Sequence, residues 1–353
     1  MKLPIRQRLA LELNRSVNRT AVLEHKLSQL FWECTLRCNL NCRHCGSDCR
    51  ATADSQDMPF EDFLRVLETS PDYIERGSVM VITTGGEPLV RKDIADCGQR
   101  IRKMGYRWGM VTNGMLLDGP MLDRLTSAGL DSLAMSFDGF EADHNWMRGS
   151  ELSFDRALRA LDLLLQTDNL AWDLITCVNR RNFDSISGLR DFLIAAGVKN
   201  WRIFTVVPMG RAKYDPELFL SDEQFRELMQ FIAETRKDGR IRLDYSCEGF
   251  LGNWEGVARK AFYDCYAGVN VASVLADGSI SGCLSIRSNY HQGNIYKDDF
   301  WQVWECGFQQ YRNRRWMKCG ACAECDAWRY CQGGPMHLRD NDGSMINCNY
   351  LKL

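Results

Sequence analysis

Leu30-Phe31-Trp32, followed by Cys38-Asn39-Leu40-Asn41-Cys42-Arg43-His44-Cys45, is the stretch that decides the reading of this chain. An apolar run leads into a short loop with three thiols at C-x3-C-x2-C spacing. A cubane iron–sulfur cluster has an iron at each of four corners, usually held by Cys thiolates. Three ligands from one loop leave one iron open to a small molecule, whereas a closed structural site fills that position with protein. The same spacing also suits a structural zinc, with Cys34, His44 or Cys49 as fourth ligand.

Outward from the loop, β-rich runs alternate with helical patterns. The strands are expected at 30–33, 79–83, 108–112, 132–136, 173–177 and 201–206, and the helices between them at 60–68, 92–104, 121–128, 154–166 and 186–196. This βα series predicts an α/β fold with a parallel sheet and helices outside. Six units are too few for a closed eight-strand barrel, so a partial barrel or a doubly wound sheet fits the pattern. Either one puts its functional loops at the C-terminal strand ends. A helix follows over 221–237, opened by the capping signal Ser221-Asp222-Glu223. Beyond it the chain turns to short segments rich in Gly and Cys, with one further helix expected over 300–316, as in a small metal-stapled domain.

The 353 residues suffice for one large domain and a smaller one. With 44 Lys and Arg against 46 Asp and Glu, the net charge of −2 gives no electrostatic footprint for nucleic acid. No apolar run is long enough to span a bilayer. Residues 1–26 carry Lys2, Arg6, Arg8, Arg15 and Arg19 without a continuous apolar core, so no secretory signal is expected and the chain reads as cytoplasmic. Leu9, Leu13, Val17, Val22 and Leu23 are spaced for a short amphipathic helix packed on the main domain, with a membrane-surface role as the alternative. Sixteen Cys in a long chain without an export signal point to metal rather than disulfides. A second Cys group comprises Cys247, Cys265, Cys283, Cys306, Cys319, Cys322, Cys325, Cys331 and Cys348. Cys97 and Cys177 read as buried apolar residues.

The second expected strand ends in Thr83-Thr84-Gly85-Gly86-Glu87-Pro88, where two Gly let the backbone turn tightly and approach a ligand closely. Together with the Cys loop before it, this run resembles the signatures of the radical S-adenosylmethionine (SAM) enzymes. The resemblance implies a partial (β/α)6 TIM-like barrel in which Cys38, Cys42 and Cys45 hold a 4Fe–4S cluster. The open iron of that cluster chelates SAM, and an electron cleaves SAM to a 5′-deoxyadenosyl radical that abstracts hydrogen from a substrate. Gly85, Gly86 and Glu87 match the motif that holds the SAM amino group. Asn113, in Thr112-Asn113-Gly114, and Ser136 and Asp138, in Ser136-Phe137-Asp138-Gly139, fall in the family's order. Hydroxyl and carboxylate groups there suit ribose, and Arg148 suits the SAM carboxylate. His44 stands where the family usually places an aromatic ring against the adenine. Thr176 and Asn179 close the fifth strand, and Pro208-Met209-Gly210-Arg211-Ala212 follows the sixth, where main-chain contacts often back the adenine.

The C-terminal pattern resembles the SPASM extension of these enzymes, which carries auxiliary iron–sulfur clusters. Cys322, Cys325, Cys331 and Cys348 are assigned by this resemblance to one auxiliary cluster, although Pro335 follows Gln332-Gly333-Gly334 where the family has a further Cys. Cys265 and Cys283 belong to a second site that lacks two standard ligands, with Cys319 and Cys247 as substitutes; Cys322-x2-Cys325 also suits a zinc ribbon. The implied organisation is an N-terminal helical segment over 1–26, a radical SAM core over 27–240 and a SPASM-like domain over 241–353. The implied cofactors are the SAM-binding 4Fe–4S cluster, SAM, and one or two auxiliary clusters. The implied partners are a peptide or protein substrate and an external electron donor such as flavodoxin or ferredoxin. Leu284 stands where the sulfatase maturases of this family place an Asp base, which disfavours formylglycine formation. The runs 31–38 and 45–49 look most like enzymes of the rSAM/lipoprotein systems. The reading from another class is a non-catalytic iron–sulfur or zinc protein that transfers electrons or binds a partner. No catalytic base is legible.

Overall fold

The computed structural model of the chain describes residues 3–52 and 56–353; Lys2 lies outside them. The expected βα series is present. Its strands are β1 (Gln29–Thr35), β2 (Met80–Gly85), β3 (Arg107–Thr112), β4 (Ser132–Ser136), β5 (Ala171–Val178), β6 (Asn200–Thr205) and β7 (Arg242–Tyr245). The helices are α1 (Ile5–Glu24), α2 (Phe60–Glu68), α3 (Ile94–Lys103), α4 (Gly119–Ser127), α5 (Glu141–Arg148), α6 (Ser153–Leu165), α7 (Ile186–Ala196) and α8 (Asp222–Asp238). Strands β1 to β7 pair in chain order, all parallel. The sheet continues on the other side of β1. There β8 (Val271–Val274) pairs parallel with β1, and β9 (Ser279–Ser281) and β10 (Gly293–Asn294) follow antiparallel. The C-terminal region thus supplies strands to both sides of the barrel sheet.

Parallel strands covered by helices bury both faces, which explains their dense apolar content. Trp32, Trp108 and Trp201 are fully buried, and Trp32 stacks on Phe63 of α2 at 4.8 Å. Each such ring contributes roughly 1.5–3 kcal/mol by leaving water.

Three local outcomes differ from the sequence-based expectation. Residues 141–148 form α5, where no helix is expected. The helix expected over 300–316 is broken into Phe300–Gln302, the π-helical turn Val303–Gly307, Gln309–Arg312 and Arg314–Met317. Helix α1 exists, but it is seated on the C-terminal region. Gln7 donates to the carbonyls of Gly252, Asn253 and Glu255, and Glu12 accepts from Arg329 and Tyr330. Only Leu11 of α1 is buried, whereas Ile5, Leu9, Leu13, Val17 and Leu23 are exposed. Its inward face mixes Gln7, Asn14, Arg15 and Asn18 with Ala10, Leu11, Ala21 and Val22, unlike the continuous apolar stripe of ordinary amphipathic packing.

A Cβ on Gly98 of α3 would meet the Trp108 ring at 2.2 Å. That ring is fixed by burial and by an indole hydrogen bond to Thr83 Oγ1. Gly98→Ala gains about 1 kcal/mol of helix propensity but overpacks the core at a cost of roughly 1–3 kcal/mol. The expected net outcome is a lower unfolding temperature, measured by thermal melting of the holoprotein.

Candidate functional site

The C-terminal strand ends converge on residues 35–50. Gly86 N donates to Thr35 O at 2.8 Å and Glu87 N to Arg37 O at 2.9 Å. A Cβ on Gly85 would lie 2.1 Å from Thr35 O, and one on Gly86 the same distance from Arg37 O. The close approach expected at these glycines is therefore to the chain's own Cys loop. Gly210 does the same from the β6 side: a Cβ there would lie 2.3 Å from Cys45 O. The Pro208–Ala212 segment also clamps the loop, because Arg211 N donates to Cys45 O and Arg211 Nε to Cys42 O.

Cys38, Cys42 and Cys45 gather in one small cluster with Leu40, Cys49 and Met115. Burial pushes Cys38 up to about 12 and also raises Cys42, so both thiols need nearby donors to bind metal as thiolates. Asn113 Nδ2 points at Cys38 Sγ from 3.8 Å, and Arg148 Nη1 at Cys42 Sγ from 3.7 Å. The Cys49 thiol donates to Cys45, which holds Cys45 down and Cys49 up. Cys34 lies apart in the main core, where burial raises its thiol.

The remaining expected SAM contacts fall at the same mouth. Most of their polar atoms are engaged within the chain. Glu87 accepts from Thr112 Oγ1 and Asn113 N, both at 2.7 Å, and burial raises its pKa. Asp138 accepts from Arg148 Nε at 2.6 Å and from Cys177 N at 2.9 Å. Burial alone would raise the Asp138 pKa, but the Arg148 guanidinium outweighs it and the pKa is lowered. The expected pairings of Asp138 with ribose and Arg148 with the SAM carboxylate thus meet a buried ion pair. Thr176 Oγ1 donates to Phe137 O, and Asn179 is tied to Asn182. Ser136 is half-buried at the end of β4. His44 is partly buried, and its Nδ1 is enclosed without a partner. Burial lowers its pKa to about 4, so the ring is neutral. A neutral ring with an open nitrogen, three gathered thiols and two donors aimed at them fit a cluster and its ligand.

The C-terminal thiols fall into two groups. Cys322, Cys325, Cys331 and Cys348 line one cavity of about 30 Å³ together with Pro335. Burial, followed by the charge of the Cys348 thiol, pushes Cys331 up to about 12. Buried Arg339 donates from Nη2 to Cys322 Sγ at 3.2 Å. Cys247, Cys265 and Cys283 form the second group: burial and then nearby Cys265 raise the Cys283 thiol, while Cys247, close to both, is exposed. Cys319 is exposed at the head of the Gly320–Cys322 turn. Cys97 is buried and Cys177 partly so, and burial raises both thiols. Among the described residues, no three His, Cys, Asp or Glu side chains are gathered around a single-ion position, and no thiol is in a disulfide. Sequence reasoning missed Arg339 and Arg287. The latter, from the C-terminal region, pairs with buried Glu33 Oε1 at 2.5 Å and bonds Ser47 of the Cys loop.

Residues 32–193 match the Radical SAM superfamily, and residues 265–326 match SPASM, an iron–sulfur cluster-binding domain. The chain belongs to the radical SAM superfamily and carries a SPASM domain. It is 26% identical to an AdoMet-dependent heme synthase of Methanosarcina barkeri, over 86% of this chain and 89% of that protein. It is 27% identical to the mycofactocin maturase MftC of Mycolicibacterium smegmatis, over 87% of this chain and 77% of that one. Its fold is similar to that of SuiB from Streptococcus suis bound to precursor peptide SuiA, with a TM-score of 0.68 and 17% identity over 91% of this chain and 76% of that one. The cofactors of this radical SAM and SPASM pair are a 4Fe–4S cluster, SAM and auxiliary iron–sulfur clusters.

Two outcomes follow from the geometry. Gly86→Ala should dislodge the Cys loop, so that reconstituted protein loses the SAM-binding cluster and keeps auxiliary iron, as read by iron analysis and EPR. Arg339→Gln removes a buried cation beside Cys322. Since a reduced cluster is the more negative form, the midpoint potential of a cluster held at Cys322 should fall in an EPR-monitored redox titration.

Proposed function

We propose that Cys38, Cys42 and Cys45 hold the SAM-binding cluster, that Cys322, Cys325, Cys331 and Cys348 hold an auxiliary cluster, and that the enzyme modifies a peptide or protein. The observation that carries the first part is the Cys loop seated on parallel strand ends, with Asn113 and Arg148 aimed at two of its thiols. When bound, the cluster supplies the electron that cleaves SAM to a radical able to abstract hydrogen. The chain's residues orient and enclose. Gly85 and Gly86 seat the loop, Glu87 fixes the turn beside it, and Asp138 holds Arg148 against Cys42. Ser136 and His44 remain to face SAM. Cys247, Cys265 and Cys283 make up three ligands of a second auxiliary site. An external one-electron donor of flavodoxin or ferredoxin type completes the cycle in a reducing, cytoplasmic setting, and no helix among the described residues is long and apolar enough to cross a membrane.

The peptide substrate is supported by the likeness to MftC and to peptide-bound SuiB. A second reading, an iron tetrapyrrole substrate, is favoured by the heme synthase relatives. Reduced holoenzyme with SAM should change the mass of a peptide encoded nearby, followed by mass spectrometry. Turnover of iron coproporphyrin with no peptide changed would establish the second reading. The Cys38→Ala, Cys42→Ala, Cys45→Ala triple variant should yield no 5′-deoxyadenosine while keeping auxiliary iron. Wild-type cleavage by that variant would overturn the cluster assignment itself.

A further inference from the structure

A cavity of about 810 Å³ lies between α1 and the C-terminal region, away from the Cys38–Cys45 loop. We infer that this cavity binds a ligand bearing two or more carboxylates on an extended apolar body. The volume falls within the range of roughly 300–1,000 Å³ usual for small-molecule sites. Arg15, Arg19, Arg312, Arg314, Arg315 and Arg329 line it, with Asp264 as the one acid in the wall.

Some of those cations are already engaged. Glu12 pairs with Arg15 at 3.2 Å and with Arg329 at 2.5 Å, while Arg312 and Arg314 donate to backbone carbonyls. The guanidinium groups of Arg19 and Arg315 make no hydrogen bond or ion pair among the described residues, nor do the side chains of Asn14 and Asn18. Tyr263, 4% exposed, lines the wall with a hydroxyl that has no partner. The exposed guanidinium groups of Arg19 and Arg315 stand at the cavity's rim with the buried Tyr263 hydroxyl in its wall, and the planar fork of Arg matches a carboxylate in two hydrogen bonds. Trp328 and Tyr330 supply flat apolar surface for the body of the ligand.

The mixed polarity of α1 supports the same conclusion. The helix turns Asn14, Arg15, Asn18 and Arg19 toward this cavity beside Leu11, Val22 and Leu23, while Leu9, Leu13 and Val17 stay exposed. Packing alone would have buried Leu9 and Leu13 as well. The cavity also reaches Cys265, so a bound ligand would lie against one of the auxiliary thiol groups.

The inference goes beyond the substrate reading and is tested apart from it. Anaerobic holoprotein is titrated with two probes, iron coproporphyrin by absorbance and a fluorescein-labelled peptide of alternating Glu and Phe by anisotropy. At least one probe should bind, with affinity that falls as salt is raised and weakens tenfold or more in Arg19→Glu/Arg315→Glu. Binding of the porphyrin alone identifies a tetrapyrrole acid, and binding of the peptide an acidic segment. Both mutated residues are exposed, so the fold tolerates the change; iron content and the melting temperature check this. SAM cleavage without either probe should be unchanged in the variant, which separates this test from the radical SAM assignment. No binding of either probe, or equal binding by wild type and variant, would overturn the inference.

Discussion

The barrel mouth depends on a backbone contact that only glycine admits. Thr35 and Arg37 carbonyls sit where the Cβ atoms of residues 85 and 86 would be. A side chain at either position would lift the end of β1 away from β2, and the thiol loop begins at that end. The other strands then reach the same loop: Asn113 from β3, Arg148 from α5 after β4, and Arg211 from the turn after β6. Glu87 links the first two of these levels by accepting from Thr112 and Asn113. One short loop is therefore located by four separate crossings of the sheet, a rigid support of the kind a reactive centre requires.

A common electrostatic device recurs around the thiols. Arg148 stands at Cys42, Arg339 at Cys322, and Arg314 on the carbonyl of Cys265. Each guanidinium is buried. Burial alone disfavours a thiolate, and a fixed cation in a low-dielectric setting offsets that penalty more strongly than water would. Asp138 balances one of these cations, whereas Arg339 and Arg314 rest on carbonyl oxygens. Removing Asp138 would leave Arg148 buried without its counter-charge, a type of change that costs about 3–5 kcal/mol.

Much of the barrel was legible because its signals are local. Apolar β runs and helical periodicity gave six strands to within a few residues, and Phe60–Glu68 and Ile186–Ala196 as found. The Cys spacings and the Gly-Gly-Glu run gave the thiol groups and their order. What the sequence hid was long-range. Nothing near Arg339 or Arg287 announces a thiol or Glu33 as its partner, since those contacts span 17 and 254 residues. The periodicity of Leu9, Leu13 and Val17 predicts a helix but not the face it buries: those three residues stay exposed and Leu11 is buried. Helix α5, which the sequence reading did not place, follows Asp138 and is closed by Gly149 in the left-handed conformation.

The pairing of β8 with β1 and of β7 with β6 bears on modularity. A chain ended at residue 240 would bare two rows of unpaired amides and carbonyls at opposite edges of the sheet, each a template for another strand. The auxiliary region therefore acts as an edge guard as well as a thiol carrier. A redesign that exchanges it for another would have to restore both edges before any chemistry could be compared.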